Sequence, residues 1–474
     1  MGLSVEKSTR PYTQEAYLND IEKQLFKETL NGKPLSAPMI AQLSVYISSL
    51  KGGVKELNLT SGKLRDLLLK DENNESIYCR TLLVYTDNEL WIGTESGVYI
   101  YNLRTEKYTH LRSSEYDPYS LSDNAIYSFC KDREDGIWIG SYFGGVNYYP
   151  RSYTYFEKYY PKGIENSLHG KRVREFCRDS QGILWIGTED GGLNRFNLKT
   201  KDFSFFAPSA GFTNIHGLCL VDDKLWVGTF SKGLKVIDTR SGVVLKTYQK
   251  NDSPRSLIDN SIFAICKTAT GDIYLGTMFG LVRYNKQSDD FDRIPELNGK
   301  FIYDIKEDSA GNIWLATYAN GVYCYNVNDR KWKNYVHDDK DNTSLPYNKV
   351  SSVFEDSHRQ IWLTTQGGGF CIFHPESETF TSYNSTNGLP SDVVYQIVED
   401  KEGQLWLTTN NGLVCFQPNT EAMKVYTTAN GLLGDQFNYR SSFEDENGMI
   451  YFGGIDGFIA FNPKDFSENK NLPT

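Results

Sequence analysis

The sequence predicts an all-β fold: a seven-bladed β-propeller with four-stranded antiparallel blades, preceded by a partial propeller segment of roughly three blades. Three observations predict it. The stretch LWIGTEDGGL at 184–193 recurs in nine clear copies and a worn tenth, at a period of about 45 residues, in the range of solenoids, propellers and arrays. Each copy carries an aromatic anchor, and seven of the eight tryptophans fill that slot, with only Trp332 outside it. Between copies, short aromatic-bearing apolar runs alternate with turn signals about every 8 to 12 residues, the pattern of a blade.

Composition narrows the class. The 474 residues carry a net charge of −10, which argues against a nucleic-acid or anionic-membrane surface. No apolar run approaches the roughly 18 residues of a membrane span, and the opening MGLSVEKSTR lacks the apolar core of a signal peptide. No CxxC spacing occurs among the eight cysteines, so a zinc site is disfavoured, and no metal or cofactor is expected. Cys130, Cys177 and Cys266 share one repeat position and Cys371 and Cys415 another; locked to the repeat, they read as small buried apolar residues.

Residues 1–36 match no repeat, and 15–33 read as the one plausible helix, with Gly32 as its stop. The unit at 170–208 shows the grammar that follows. VREFCRDS is a first strand, and Asp179-Ser180-Gln181-Gly182 is a turn in which Asp holds the backbone and Gly can take positive φ. ILWIGT is the central strand, covered on both faces and so apolar nearly throughout. EDGG leads to LNRFNL, and KTKD to FSFFAP. The Gly two residues past the anchor leaves room for the adjacent sheet. The Asp six residues before the anchor (Asp132, Asp179, Asp308, Asp356, Asp400, Asp445) reads as a turn cap, because DREDG and EDENG lack the ligand count of a calcium loop.

Counting anchors sets the domains. Trp185, Trp226, Tyr274, Trp314, Trp362, Trp406 and Tyr451 make seven, but the last unit has only three strands before the polar KDFSENKNLPT. An open edge inside a ring is not tolerated. YTYFEKYY at 153–160 is therefore expected to supply the missing strand. The expected organisation is an N-terminal segment at 1–36, a partial propeller at 37–152 with anchors Tyr46, Trp91 and Trp138, a complete ring at 153–464, and a linker at 465–474. Three blades do not close, so the first of them should show an uncovered apolar face.

The pattern D-x-x-G-x-[IL]-W-[IL]-G-T-x-x-G-[GV]-[LV] resembles the regulator-propeller repeat of hybrid two-component sensor histidine kinases. SLSDNAIYSFCKDREDGIWIGSYFGGVNYY, GLPSDVVYQIVEDKEGQLWLTTNNGLVCF and FGGIDGFIAFNPKDF carry the resemblance, over roughly 40–466. It implies a periplasmic region that senses glycans and controls polysaccharide-utilisation genes. Kinase activity would lie in domains outside this sequence, in a full-length sensor able to form a homodimer. Against the family's two seven-bladed rings, this sequence has about four fewer leading blades.

Propeller ligands sit at the channel mouth. The slot eleven residues before the anchor is varied in type, holding Tyr127, Arg174, Phe263, Tyr303, Ser351, Tyr395 and Arg440, with His216 fitting after a small deletion, whereas its neighbour is apolar. Turn residues after the motif Thr add Glu189, Phe230, Met278, Phe279, Tyr318, Gln366 and Asn410. Aromatics suit sugar faces and arginine forks suit carboxylate or sulfate. The candidate ligand-binding set is thus Arg174, His216, Phe263, Tyr303, Tyr395, Arg440, Glu189, Phe230 and Tyr318. Arg174 and Arg440, in the first and last blades, are expected side by side around an acidic group of an oligosaccharide. The alternative for the varied slot is plain inter-blade packing. Other functional readings are a propeller lyase or hydrolase using His216 with Glu189 or Asp392, and a protein-docking scaffold. No nucleophile elbow, phosphate loop or paired-His metal motif occurs.

Overall fold

The computed structural model describes residues 29–30, 33–34, 44–49, 52–58, 61–115, 117, 119–133, 135–150, 156–206 and 213–466. The chain divides into two compact units at residues 153 and 154.

The larger unit contains seven four-stranded antiparallel sheets. Six are built from consecutive strands, the first being Val173–Arg178, Ile183–Thr188, Gly192–Asn197 and Phe203–Phe206. The first strand of each sheet neighbours the first strand of the next, and Phe437–Glu444 of the seventh returns to Val173–Arg178, so the sheets form a closed ring. The seventh blade is composite. Glu157–Tyr159 pairs antiparallel with Phe458–Phe461, setting Glu157 against Ala460 and Tyr159 against Phe458. Tyr159 stacks on Phe458 at 4.5 Å and meets Phe196 of the first blade at 5.1 Å. The strand expected to close the ring thus does so within 153–160, although 153–155 lie outside the described residues.

The repeat motif is a set of hydrogen bonds. Asp179 accepts the Gln181 and Ile183 backbone N–H groups at 2.9 and 3.0 Å and the Trp185 indole N–H at 2.8 Å. Asp308, Asp356 and Asp400 hold Trp314, Trp362 and Trp406 in the same way, each at 2.8 Å. The Asp is therefore a cap that also fixes the buried anchor. At the other end of the central strand, Thr188, Thr229, Thr277, Thr317, Thr365 and Thr409 donate to a glycine carbonyl across the turn. A Cβ at Gly187 would lie 2.6 Å from Ile215 Cγ2, and one at Gly453 2.7 Å from Val173 Cγ1. The motif glycine is thus what lets successive blades approach, including the last to the first.

The smaller unit holds sheets of three, four and three strands: Ser44–Ser49 to Leu64–Leu68, Cys79–Thr86 to Tyr108–Leu111, and Ile126–Lys131 to Val146–Tyr149. Among its described residues, exposed large apolar side chains gather on the third sheet. Trp138 is 45% exposed where Trp91 is buried, and Tyr142, Phe143 and Val146 are also exposed. Tyr46 of the first sheet packs against the second. Cys130 lies on the same third sheet and is exposed, against expectation, whereas Cys324, Cys371 and Cys415 are buried. The expected helix at 15–33 is corrected at its end. Thr29–Leu30 pairs with Lys33–Pro34 across Asn31-Gly32, the sequence signal of a two-residue hairpin. The rest of 15–33 lies outside the described residues.

Candidate functional site

A bulge builds the channel collar. In six ring blades the register jumps by one residue in the first strand, leaving Arg174, His216, Phe263, Tyr303, Ser351 and Tyr395 unpaired. A bulge re-aims a side chain. Here the re-aimed groups meet across blades. Phe263 lies 4.7 Å from His216 and 5.9 Å from Tyr303, ring to ring. The Arg174 guanidinium stands 5.9 Å from the Phe263 ring.

The seventh blade breaks this register. Asn438, Tyr439, Arg440 and Ser441 stand opposite Gly453 alone, between the pairs Phe437–Gly454 and Ser442–Phe452. Tyr439, not Arg440, takes the collar position. It lies 4.9 Å under the Arg174 guanidinium, 5.6 Å from Tyr303 and 4.8 Å from Tyr395. Arg440 adopts φ +49° and turns below the collar. Its Nε lies 3.1 Å from Asp304 Oδ1 and 3.4 Å from Glu175 Oε1, and its Nη1 donates to the Phe263 carbonyl at 3.1 Å. In a ring of seven, the seventh blade faces the gap between the third and fourth, which supply Phe263 and Asp304. Arg440 therefore crosses the axis as a brace.

This corrects the expectation that Arg174 and Arg440 share one anionic ligand. Arg440 is satisfied by internal carboxylates, and a bulge of extra residues is the reason its slot was misaligned. Tyr303 and Tyr395 are likewise buried, so they fill the channel and their faces are taken by Tyr439. Phe263 is buried among the same rings.

Arg174 differs from Arg440. It is 1% exposed, its Nη1 lies 3.4 Å from Glu189 Oε1, and its Nε and Nη2 have no hydrogen-bond partner. Ser351 Oγ and His216 Nδ1, in the same slot of other blades, are buried without partners too. Burial, then the Arg174 charge, pushes the His216 imidazole down to about 2, so it is neutral. Burial pushes the Glu175 carboxyl up to about 8 against the pull of Arg440 and Arg174.

The exposed part of the mouth is aromatic. Phe230, Phe279 and Tyr318 are 41%, 52% and 41% exposed, and Tyr347 is exposed beside them in chain order of blades. They stand on the threonine-braced turns or on the loop entering the fifth blade. Phe301, which sequence reasoning missed, stacks on Tyr318 at 5.3 Å and on Tyr303 at 4.8 Å. Lys349 Nζ lies 4.2 Å over the Tyr318 ring. Both residues precede the apolar strand start, a position not tied to the repeat. Of the carboxylates considered with His216, Glu189 lies on Arg174, and the Asp392 carboxylate accepts from the Ser385 N–H and hydroxyl at 2.6 and 3.2 Å.

Known proteins share this pattern. The profile of the two-component regulator propeller matches residues 120–143, 167–190, 296–319 and 388–411. These are two-component regulator propeller repeats. A curated relative, histidine kinase P4 of Formosa agariphila, is 30% identical over 277 residues, covering 55% of this chain and 20% of that protein. The extracellular domain of a protein described as the hybrid two-component system BT3049 of B. thetaiotaomicron superposes with a TM-score of 0.68 at 25% identity, over 93% of this chain and 63% of that one. The chain thus spans a fifth of the curated relative and under two thirds of the solved one. Virginiamycin B lyase of Staphylococcus aureus shares the fold alone, with a TM-score of 0.51 at 14% identity over 64% of this chain and 97% of the lyase. Among the described residues, no helix is long and apolar enough to cross a membrane, and no three His, Cys, Asp or Glu side chains gather as metal ligands.

Proposed function

We propose that this chain is the ligand-sensing, non-catalytic part of a periplasmic two-component sensor, and that it takes an oligosaccharide at the mouth of the closed ring. The observation carrying this reading is the arc of exposed Phe230, Phe279 and Tyr318 on turns locked by Thr229, Thr277 and Thr317. Large aromatic faces held rigidly in water contribute binding area at little entropic cost. A pyranose ring offers the matching flat C–H face. The filled channel beneath means that the sugar lies on the mouth and does not thread the ring. The likeness to an extracellular domain of a hybrid two-component system supports a sensing role.

Calorimetry against a panel of plant and microbial oligosaccharides tests it. Phe230→Ala and Tyr318→Ala should each weaken the binding ligand by roughly tenfold while leaving the melting temperature unchanged. A panel without hits, or hits indifferent to both substitutions, sinks the mouth as a glycan site.

A further inference from the structure

We propose that Arg174 is a socket for an anionic group, a carboxylate or sulfate, and that Glu189 is a built-in surrogate which the ligand displaces. This rests on the mouth being the ligand site. A buried guanidinium normally has its N–H groups filled, because unmade hydrogen bonds to a buried charge are costly. Arg174 leaves Nε and Nη2 empty while nearly wholly buried. Its Nη1 contact to Glu189 is long at 3.4 Å and one-pronged, where a fitted carboxylate would take two N–H groups at shorter range.

Two other charges act on Arg174 through space, Glu175 in its favour and Arg440 against it. Asp304 and Glu175 are taken by Arg440 on the other side of the collar. The Tyr439 and Phe263 rings lie 4.9 and 5.9 Å from the guanidinium. Glu189 is the one carboxylate in contact from the mouth side, and its side chain is 23% exposed, so it can swing into solvent. It stands on the turn after the central strand. An incoming anion would replace one weak internal pair with a two-pronged one, at no net change in buried charge.

The two residues should act in opposite directions. Calorimetry with D-glucuronate and with sulfate, against glucose and chloride at matched ionic strength, provides the readout. Glu189→Gln removes the competitor and should tighten anion binding about tenfold, while Arg174→Gln should weaken it about tenfold to a hundredfold. Arg174→Lys keeps the charge without the fork and should fall between. Equal affinity for glucuronate and glucose in the parent chain overturns the socket. So does weaker anion binding in Glu189→Gln, which needs no change in the buried core and guards against misfolding of the arginine variants. If neutral oligosaccharides bind and depend on Tyr318 while anions do not, the mouth reading stands and the socket alone fails. If nothing binds, both fail.

Discussion

Arg440→Met removes the brace across the ring and leaves its neighbours without a partner. Asp304 Oδ1 loses a cation at 3.1 Å, Glu175 Oε1 one at 3.4 Å, and the Phe263 carbonyl its donor. Breaking a buried ion pair from one side costs about 3–5 kcal/mol, since the stranded charge stays buried. For a ring of about 300 residues that corresponds to a drop of about 5–8 °C in melting temperature. Met keeps most of the side-chain volume and the same unfavourable positive φ, so neither a cavity nor relieved strain confuses the comparison. The Glu175 carboxyl, already raised to about 8 by burial, takes up a proton as pH falls, so the loss measured by urea unfolding should be largest near pH 8 and shrink toward pH 5. A loss below about 1 kcal/mol at pH 8, or one equal at both pH values, would refute the argument that the brace neutralises buried acid.

Other perturbations follow from the same geometry. The Glu175 carboxyl is raised from 4.5 to about 8, so the stability it allows is complete below its unfolded value and is lost progressively as pH rises from there through about 8; the loss approaches about 4–5 kcal/mol, and Glu175→Gln should flatten stability between pH 5 and 8. Asp179→Ala strips one capped turn and the Trp185 indole of their acceptor and should cost about 2–4 kcal/mol in urea unfolding, with Asp179→Asn costing less. Tyr159→Ala removes the ring stacked between Phe458 and Phe196 and should cost about 3–4 kcal/mol, visible as earlier proteolysis of the larger unit.

The fold was legible because its determinants repeat. An Asp, an aromatic anchor, a Gly and a Thr, recurring in most though not all units, encode the cap, the anchor, the close approach and the turn brace. Copies in register name the blades without any tertiary knowledge. Even the closing strand could be read, since a three-stranded last unit demands a partner. The collar was only half legible. A variable slot beside an apolar one marked the bulge, but not whether its side chains would face a ligand or one another. Tyr303 and Tyr395 became mutual filling through Tyr439, a residue the alignment placed one step away. Arg440 was misread because the seventh blade inserts residues where the others insert one, and no repeat average records an exception. Trp138 and Cys130 fit the motif yet stand exposed, because burial of an anchor depends on the neighbouring sheet and not on the anchor.

The composite blade also sets the order in which this chain can become a ring. Glu157 and Ala460 are bonded neighbours separated by about 300 residues, so the seam closes last. At about 5–20 residues per second of synthesis, the first partner waits roughly 15–60 seconds for the second to be made. For that interval six finished blades form an open arc with the strand Glu157–Tyr159 unpaired at one end, ready to pair with another chain. A nascent ring of this kind is most vulnerable just before its final strand emerges, and substitutions that slow closure should lower yield in the cell far more than they lower the stability of the molecule that results.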